Sequence, residues 1–482
     1  MAQAIAQPIR RLTASERHWR TYGSGYLFLL PAALLYAVFV LYPFVQSIFL
    51  SLTDWNGVSA VKNFVGFENY AKMFSDPLVG LSLGHNLIWI VIGTVIPIVI
   101  GLLLAVLVSG TKRGYNVFRT AFFLPQVLSP VIIGITWGWI YHPLFGVLNT
   151  LLERVGLVGW QRGWLGETSL ALYAVLIAAM WAAVGFVFVI LLAGLQNVSV
   201  ELLEAADIDG ANAWQKVWNV IVPQLSNVLT VVATLLLIGG FSVFDIVFIM
   251  TQGGPANSTQ LLATYAYQQA FIQNKIGYGA ALVTVMTLLA LTASVVFIEF
   301  EKGRSADMVV RTPRYLTPAR TRSSLPGKIL RYAVLIAFLV YFLAPVLLVW
   351  SAALRNADEI NINPLGLPLS PNWNNLIQAW TTGKFSQYVL NSVLYCASIV
   401  SGVVMISALA GFALAHMALP GRQYILTVFL LGVMIPFQSI MIPLYYLLRD
   451  LHLLQTYLAF IVPAIALGLP FGIFLMRGFF SI

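Results

Sequence analysis

ELLEAADIDGANAWQKVWNVIVPQL, Glu201 to Leu225, is a polar stretch lying between two long apolar runs. At 3.6 residues per turn, Glu201, Glu204 and Asp207 share one acidic side of a helix. Leu202, Leu203 and Ala206 fall on another side, and the small side chains of Ala205 and Ala206 let a partner surface approach closely. Gly210, after Asp209, stops that helix and turns the chain. A second short helix over 211–220 follows. Pro223 then falls near the start of the next apolar run, where a missing N–H costs little. The pattern predicts two short helices joined by a turn, held at the surface of whatever the flanking runs cross.

Those runs are membrane spans. The chain has 482 residues, 60% hydrophobic and only 9% charged, a composition foreign to soluble domains. Charge-free runs place spans at about 26–50, 86–109, 118–141, 170–195, 223–250 and 277–300. A second set follows at about 330–352, 388–413, 423–447 and 457–477. Each is expected to be helical, because backbone facing lipid must satisfy its own hydrogen bonds. The fold class is therefore all-α, a polytopic membrane protein of about ten transmembrane helices, six and then four. The first run, 26–50, is long enough to span a bilayer, unlike the apolar core of a cleavable signal peptide.

The net charge of +9 is concentrated in particular loops, which points to membrane orientation rather than to nucleic acid. The N-terminus carries Arg10, Arg11, Arg17 and Arg20, and the 110–119 loop carries Lys112, Arg113 and Arg119. Residues 301–329 carry Lys302, Arg304, Arg311, Arg314, Arg320, Arg322 and Lys328. These segments fall on one side, the cytoplasm, which places the N-terminus inside. The opposite loops, 51–85, 142–169 and 251–276, hold two, two and one Lys or Arg. Parity puts the 196–222 loop inside although Lys216 is its one cation, which suits a loop kept for docking. The lone Cys396 permits no intramolecular disulfide and reads as a packing residue.

The chain repeats itself. Phe67-Glu68-Asn69-Tyr70 precedes the second span, and Trp373-Asn374-Asn375-Leu376 precedes its counterpart. Each of those spans has an early Asn, Asn86 and Asn391. The third spans carry Leu124-Pro125-Gln126 and Ile435-Pro436-Phe437-Gln438. Residues 301–329, charged and containing Pro313, Pro318 and Pro326, read as a cytoplasmic basic linker between two membrane modules. The expected domains are a complete module at 1–300, the linker at 301–329 and a partial module at 330–482. With Gly194 aligned to Gly478, the second module stops at Ile482, short of its own polar loop.

The loop spacing carries a resemblance. Glu204-Ala205-Ala206, three residues, Gly210, nine residues, then Val220-x-Val222-Pro223 resembles the EAA loop of binding-protein-dependent ABC transporter permeases. Val220 and Val222 stand where that family more often has Ile and Leu. The carbohydrate (maltose and glycerol-3-phosphate) subfamily is the nearest match. LFLLPAALLYAVFVLYP at 27–43, SLTDWNG at 51–57 and FVGFENY at 64–70 are similar to it. So are FRTAFFLPQVLSPVI at 118–132 and MTQGGPANSTQLL at 250–262. The whole chain resembles two such permeases fused in tandem, the second cut before its EAA loop.

The resemblance implies an inner-membrane subunit of an ATP-driven importer for a sugar or sugar-like solute. Glu204, Ala205, Ala206, Asp209, Gly210 and Pro223 would then form the coupling loop that docks on a cytoplasmic ABC ATPase dimer. An extracytoplasmic solute-binding protein would deliver the solute to outer loops such as 251–276. A further permease chain is a candidate partner for the cut module. No catalytic constellation or phosphate-binding glycine loop is present in the sequence, so ATP hydrolysis is expected on another chain. No cofactor, metal or nucleic acid is expected.

Asp245 is the one acidic residue well inside an apolar run, and a carboxylate there is expensive unless it faces a cavity or a partner. It is the first candidate for the translocation path; Asn86, Gln126, Asn391 and Gln438 are weaker ones, since polar side chains also serve as interhelical ties. The rival reading is an ion-coupled secondary transporter built from two repeated halves. It needs intramembrane carboxylates or histidines, which this chain offers sparsely.

Overall fold

The computed structural model describes residues 14–111, 113–306, 325–417, 419–433 and 435–481. Arg10, Arg11, Lys112 and most of the basic linker, with Arg311, Arg314, Arg320 and Arg322, lie outside the described residues. Among the described residues the chain is helical, with an isolated antiparallel bridge between Thr53 and Phe64 and no strand.

Among the described residues, seven helices are long and apolar enough to cross a membrane: Tyr22–Ser51 (α1), Pro77–Ser109 (α3), Ala171–Leu195 (α6), Ile276–Phe297, Pro326–Ala353, Phe385–His416 (α16) and Leu458–Phe480 (α19). Around them lie Glu68–Ser75 (α2), Val200–Ile208 (α7), Asp245–Met250 (α10) and Leu262–Tyr267 (α11). The sixth and seventh spans belong to the longer helices Ile276–Ala306 (α12) and Leu325–Ala353 (α13). Ala357–Ile362 (α14) and Asn374–Thr381 (α15) follow α13.

Three further spans are broken. Tyr115–Val127 (α4) meets Pro130–Ile140 (α5) at 98°, and Ala213–Gln224 (α8) meets Ser226–Ser242 (α9) at 76°. Arg422–Val433 (α17) and Phe437–Asp450 (α18) form the third pair, bent by 92°. Counting each pair as one span brings the total to ten.

These breaks correct the expectation of continuous spans at 118–141, 223–250 and 423–447. Two have a plain cause in the sequence. The residue before a proline is pushed out of the helical region, and Ser129, with ψ 149°, precedes Pro130. Its hydroxyl accepts from Ile132 N at 3.3 Å and caps α5. At the other break Pro436 itself is extended, ψ 140°, ahead of Phe437. The run at 223–250 is broken twice. It bends at Leu225, and again at Val243–Phe244, where ψ 124° followed by φ −139° ends α9 before α10 begins. Pro223 lies in α8, the first half of this broken pair, two residues ahead of the bend at Leu225. A π turn over Val217–Ile221 precedes it, the adjustment a helix makes when a proline removes an N–H.

The helices form two compact units. In one, Met1–Leu50 with Lys384–Ile482, α1 packs on α16 and α19. Leu29, Ala32, Phe39 and Val40 are buried there with Ala410, Leu414, Leu469 and Ile473. Tyr36 is buried among them and donates its hydroxyl to Val428 O at 3.2 Å. In the other, Ser51–Gly383, α3 packs on α6, and α13 packs on α4. Phe122 sits 5.4 Å from both Phe188 and Phe342. Trp181 Nε1 donates to Tyr341 O at 3.3 Å, and Arg331 Nη1 reaches Gly110 O at 2.6 Å. The compact units therefore cut across the sequence repeat: the first span of each repeat packs with later spans of the other.

Candidate functional site

The polar loop is tightly built. Ser199 caps α7: its hydroxyl accepts from Leu202 N at 3.3 Å, while Ser199 N donates to Gln224 Oε1 at 2.9 Å. Gln224 therefore ties the last turn of α8 to the start of α7. At the far end Asp209 N donates to Ala205 O and Ala211 N to Ala206 O, both at 2.9 Å. Gly210 turns the chain there with φ +78°, a conformation that costs glycine nothing. Asn212 and Gln215 then form a capping box on α8, at 2.9 and 2.8 Å. Lys216 pairs with Asp207 across the turn.

The second helix thus starts two residues later than expected and runs on to Gln224. Glu204, Ala205 and Asp209 are exposed along the outer side, as are Glu201 and Asp207, the latter already matched by Lys216. Leu203 turns inward against the core and Ala206 is half-buried, but Leu202, placed on the same side by the sequence, is 49% exposed, so the inward side of α7 is narrower than expected. Sequence reasoning passed over Ile208, which is 86% exposed at the tip between two aspartates. An apolar residue between charges at a turn was the available signal. Trp214 and Trp218 are also exposed, with ring centroids 5.4 Å apart.

The candidate path residues take different places in their own units. Asn86 is fully buried; its Nδ2 donates to Gly240 O at 3.2 Å and its Oδ1 accepts from Leu262 N at 2.9 Å. One amide thus joins α3, the end of α9 and the start of α11. Asp245 is not inside a continuous span: it is the exposed first residue of α10, just past the break. Gln126 is exposed in the last turn of α4, ahead of its bend, and Gln438 follows the bend between α17 and α18. Asn391 Oδ1 accepts from the Tyr457 hydroxyl at 3.0 Å, which ties α16 to the head of α19.

Two loop arrangements were missed. Asn69 Nδ2 donates to Ser51 O and Thr53 O, both at 2.8 Å, at the end of α1. Gly277 lies against Thr53 O so closely that a Cβ would clash, which locks the start of α12 onto the same loop. Asp76 caps α3 by accepting from Leu78 N at 3.0 Å and also takes the hydroxyls of Tyr265 and Tyr278 at 2.6 Å each. Burial alone would raise its pKa; the two tyrosines, the Leu78 amide and Lys72 outweigh that and hold the carboxyl below its usual value.

Residues 97–300 match the family model described as binding-protein-dependent transport system inner membrane component. The probable ABC transporter permease YurN of Bacillus subtilis is 36% identical over 279 residues, 58% of this chain and 95% of that protein. AmyD of Thermoanaerobacterium thermosulfurigenes, a probable starch degradation products transport system permease, is 32% identical over 59% of this chain and 95% of its own length. LacF of Rhizobium radiobacter, a lactose transport system permease, is 34% identical over 58% and 94%. A chain of the bacterial alginate ABC transporter, crystallised with an alginate pentasaccharide-bound periplasmic protein, has the same fold. The TM-score is 0.52 at 19% identity, covering 61% of this chain and 98% of that one. With up to ten segments among the described residues long and apolar enough to cross a membrane, and relatives covered almost end to end, this chain is a multi-pass inner-membrane permease and belongs to the family of binding-protein-dependent ABC transporter permeases.

Proposed function

We propose that the chain is the membrane subunit of an ATP-driven importer of a sugar or sugar-like solute, coupled to its ATPase through α7, Gly210 and the start of α8. The observation that carries this reading is the loop itself. It is capped at both helices, braced by Gln224 and the Asp207–Lys216 pair, and yet leaves Glu204, Ala205, Ile208 and Asp209 facing outward. Leu202, Ile208, Trp214 and Trp218 are all exposed along α7 and α8, a group of apolar side chains that suits a surface covered by a partner. The sugars named for the relatives support the solute class.

Two modules, 1–300 and 330–482, joined by the 301–329 linker, remain the reading of the domain plan. The same Asn contact in both outer loops supports it, as do the matched breaks beside Gln126 and Gln438. The loop and the N-terminus face the cytoplasm, and an extracytoplasmic binding protein meets the outer segment 251–276. ATP-driven closure of the ATPase dimer then moves α7 and α8 and reverses the access of the path. Asp245 and Gln126 line that path; Asn86 and Asn391 set the helices around it. Affinity capture of the tagged chain from its native membrane tests the reading. An ATP-hydrolysing subunit should copurify, and ATP-dependent uptake of a sugar should require the chain. Uptake that survives ATP depletion and follows an ion gradient would overturn it.

A further inference from the structure

Two ties hold the chain just past α3 against the start of α13. Arg331 Nη1 donates to Gly110 O at 2.6 Å, and the Tyr332 hydroxyl donates to Arg113 O at 3.3 Å. Gly110 caps α3, and a Cβ there would come within 2.6 Å of the same guanidinium nitrogen, so the glycine leaves the room in which Arg331 lies. Lys328, one helical turn before Arg331, is exposed, and so is Arg113. Three cations thus rise from one patch. Among the described residues none of them has an acidic partner, and Arg331 uses one of its five N–H donors on Gly110.

Further along the same helices lies a groove of about 290 Å³ between α3, α6 and α13. Ile96 and Ile100, Ile177 and Met180, and Ala337 and Phe338 are among the side chains that line it. Ile96, Ile177 and Ala337 are exposed, so its mouth opens outward. At 1.5 Å per residue, Ala337 and Tyr341 lie about 9 and 15 Å along α13 from Arg331, and Ile100 lies about 15 Å along α3 from Gly110. The hydrocarbon of one leaflet is about 15 Å deep, half of a core about 30 Å thick. The groove therefore sits in the leaflet whose headgroups meet the three cations.

We propose that the patch and the groove together bind one anionic phospholipid, its phosphate at Arg331 and one acyl chain in the groove. Lys328 and Arg113 supply the charge that distinguishes an anionic headgroup from a zwitterionic one. A freely snorkelling cation is enough to orient a span. Arg331 is instead seated on a helix-end carbonyl, and its remaining donors can take two phosphate oxygens side by side. The acyl chain fills space between α13 and the pair α3 and α6, so the lipid braces α13 against them. The proposal is independent of which solute the chain carries.

The test titrates the full chain, purified in detergent, with dioleoylphosphatidylglycerol, with dioleoylphosphatidylcholine and with inorganic phosphate, and counts bound lipid by native mass spectrometry. Phosphatidylglycerol should bind about ten- to thirtyfold tighter than phosphatidylcholine. Lys328→Gln, whose side chain has no partner among the described residues, should weaken phosphatidylglycerol about three- to tenfold and leave phosphatidylcholine unchanged. Arg331→Gln should weaken both lipids, since both carry the phosphate. Ala337→Trp, which fills the groove, should weaken both about threefold or more. Equal binding of the two lipids by the wild type, or phosphatidylglycerol held equally by the wild type and all three variants, would overturn the proposal. Inorganic phosphate that displaces phosphatidylglycerol at equal concentration would show that the cations hold a free anion, and would overturn the lipid assignment.

Discussion

Asn69 and Asn375 make the same pair of contacts at corresponding places in the two repeats. Asn69 Nδ2 spans Ser51 O and Thr53 O, at the end of α1; Asn375 Nδ2 spans Ala353 O and Arg355 O, at the end of α13, at 3.2 and 2.9 Å. Each amide ties the second residue of a short helix, α2 or α15, back to the end of the preceding span. The strings Phe67–Tyr70 and Trp373–Leu376 resemble one another because both have to hold that geometry.

This contact needs a donor, so charge is the discriminating change. Asn69→Ala and Asn375→Ala should each cost about 1–3 kcal/mol of local stability. Asn69→Asp and Asn375→Asp should cost more, because a carboxylate there faces two carbonyl oxygens. Limited proteolysis in nanodiscs reads the result: cleavage should rise within 52–67 for the Asn69 variants and within 356–372 for those of Asn375. Equal cleavage in Asn and Asp forms would show that the contact does not hold the loop.

Glu204→Lys should uncouple transport and strip the ATPase during purification. Ile208→Asp should do the same with the charge of Glu204 intact, since it buries a carboxylate wherever the tip docks. A loss of about tenfold or more in ATPase retained is expected for each. Normal uptake and retention in both would remove the loop from the coupling path.

Topology can be read chemically. Cys396 is exposed, so the background must be Cys396→Ser. Ser323, in the linker, lies outside the described residues; its cysteine variant should resist impermeant thiol reagents added to intact cells. Ready labelling would reverse the orientation drawn from the basic loops.

Asp76 sets a pH dependence. Its folded pKa is lowered from the usual 3.8, so its contribution is fully present above that value and fades as pH falls below it. The stability advantage of the wild type over Asp76→Asn should hold from pH 7 to 5 and shrink toward pH 3. Removing both hydroxyls, with Tyr265→Phe and Tyr278→Phe, should move that loss to higher pH. An advantage unchanged at pH 3 would mean that the charge of Asp76 contributes nothing.

Much of this was legible in the amino acids. Spans announce themselves because lipid tolerates few charges, and the loop around Gly210 because its glycine and caps are local chemistry. The breaks beside Pro130 and Pro436 had their signal in the prolines and were smoothed over by hydropathy, which counts composition and ignores backbone. The break at Val243–Phe244 carries no proline or adjacent glycine, and it moved Asp245 from the interior of a span to the head of a short helix. Asn86 and Asn391 were visible as polar residues, but whether an amide lines a path or ties helices depends on partners far away, Gly240, Leu262 and Tyr457. The pairing of α1 with α16 and α19 was not legible, because a face that meets protein in a membrane is as apolar as one that meets lipid.

That pairing sets a schedule for biogenesis. α1 leaves the ribosome first, but the helices that cover it begin at Phe385, more than three hundred residues downstream. At about 5–20 residues per second this is a wait on the order of tens of seconds in the bilayer. A soluble helix left bare for so long would aggregate. The face of α1 is Leu29, Ala32, Phe39 and Val40, to which lipid is as good a neighbour as protein, so waiting costs it little. The Tyr36 hydroxyl does gain from the late arrivals, and Val428 is what it waits for.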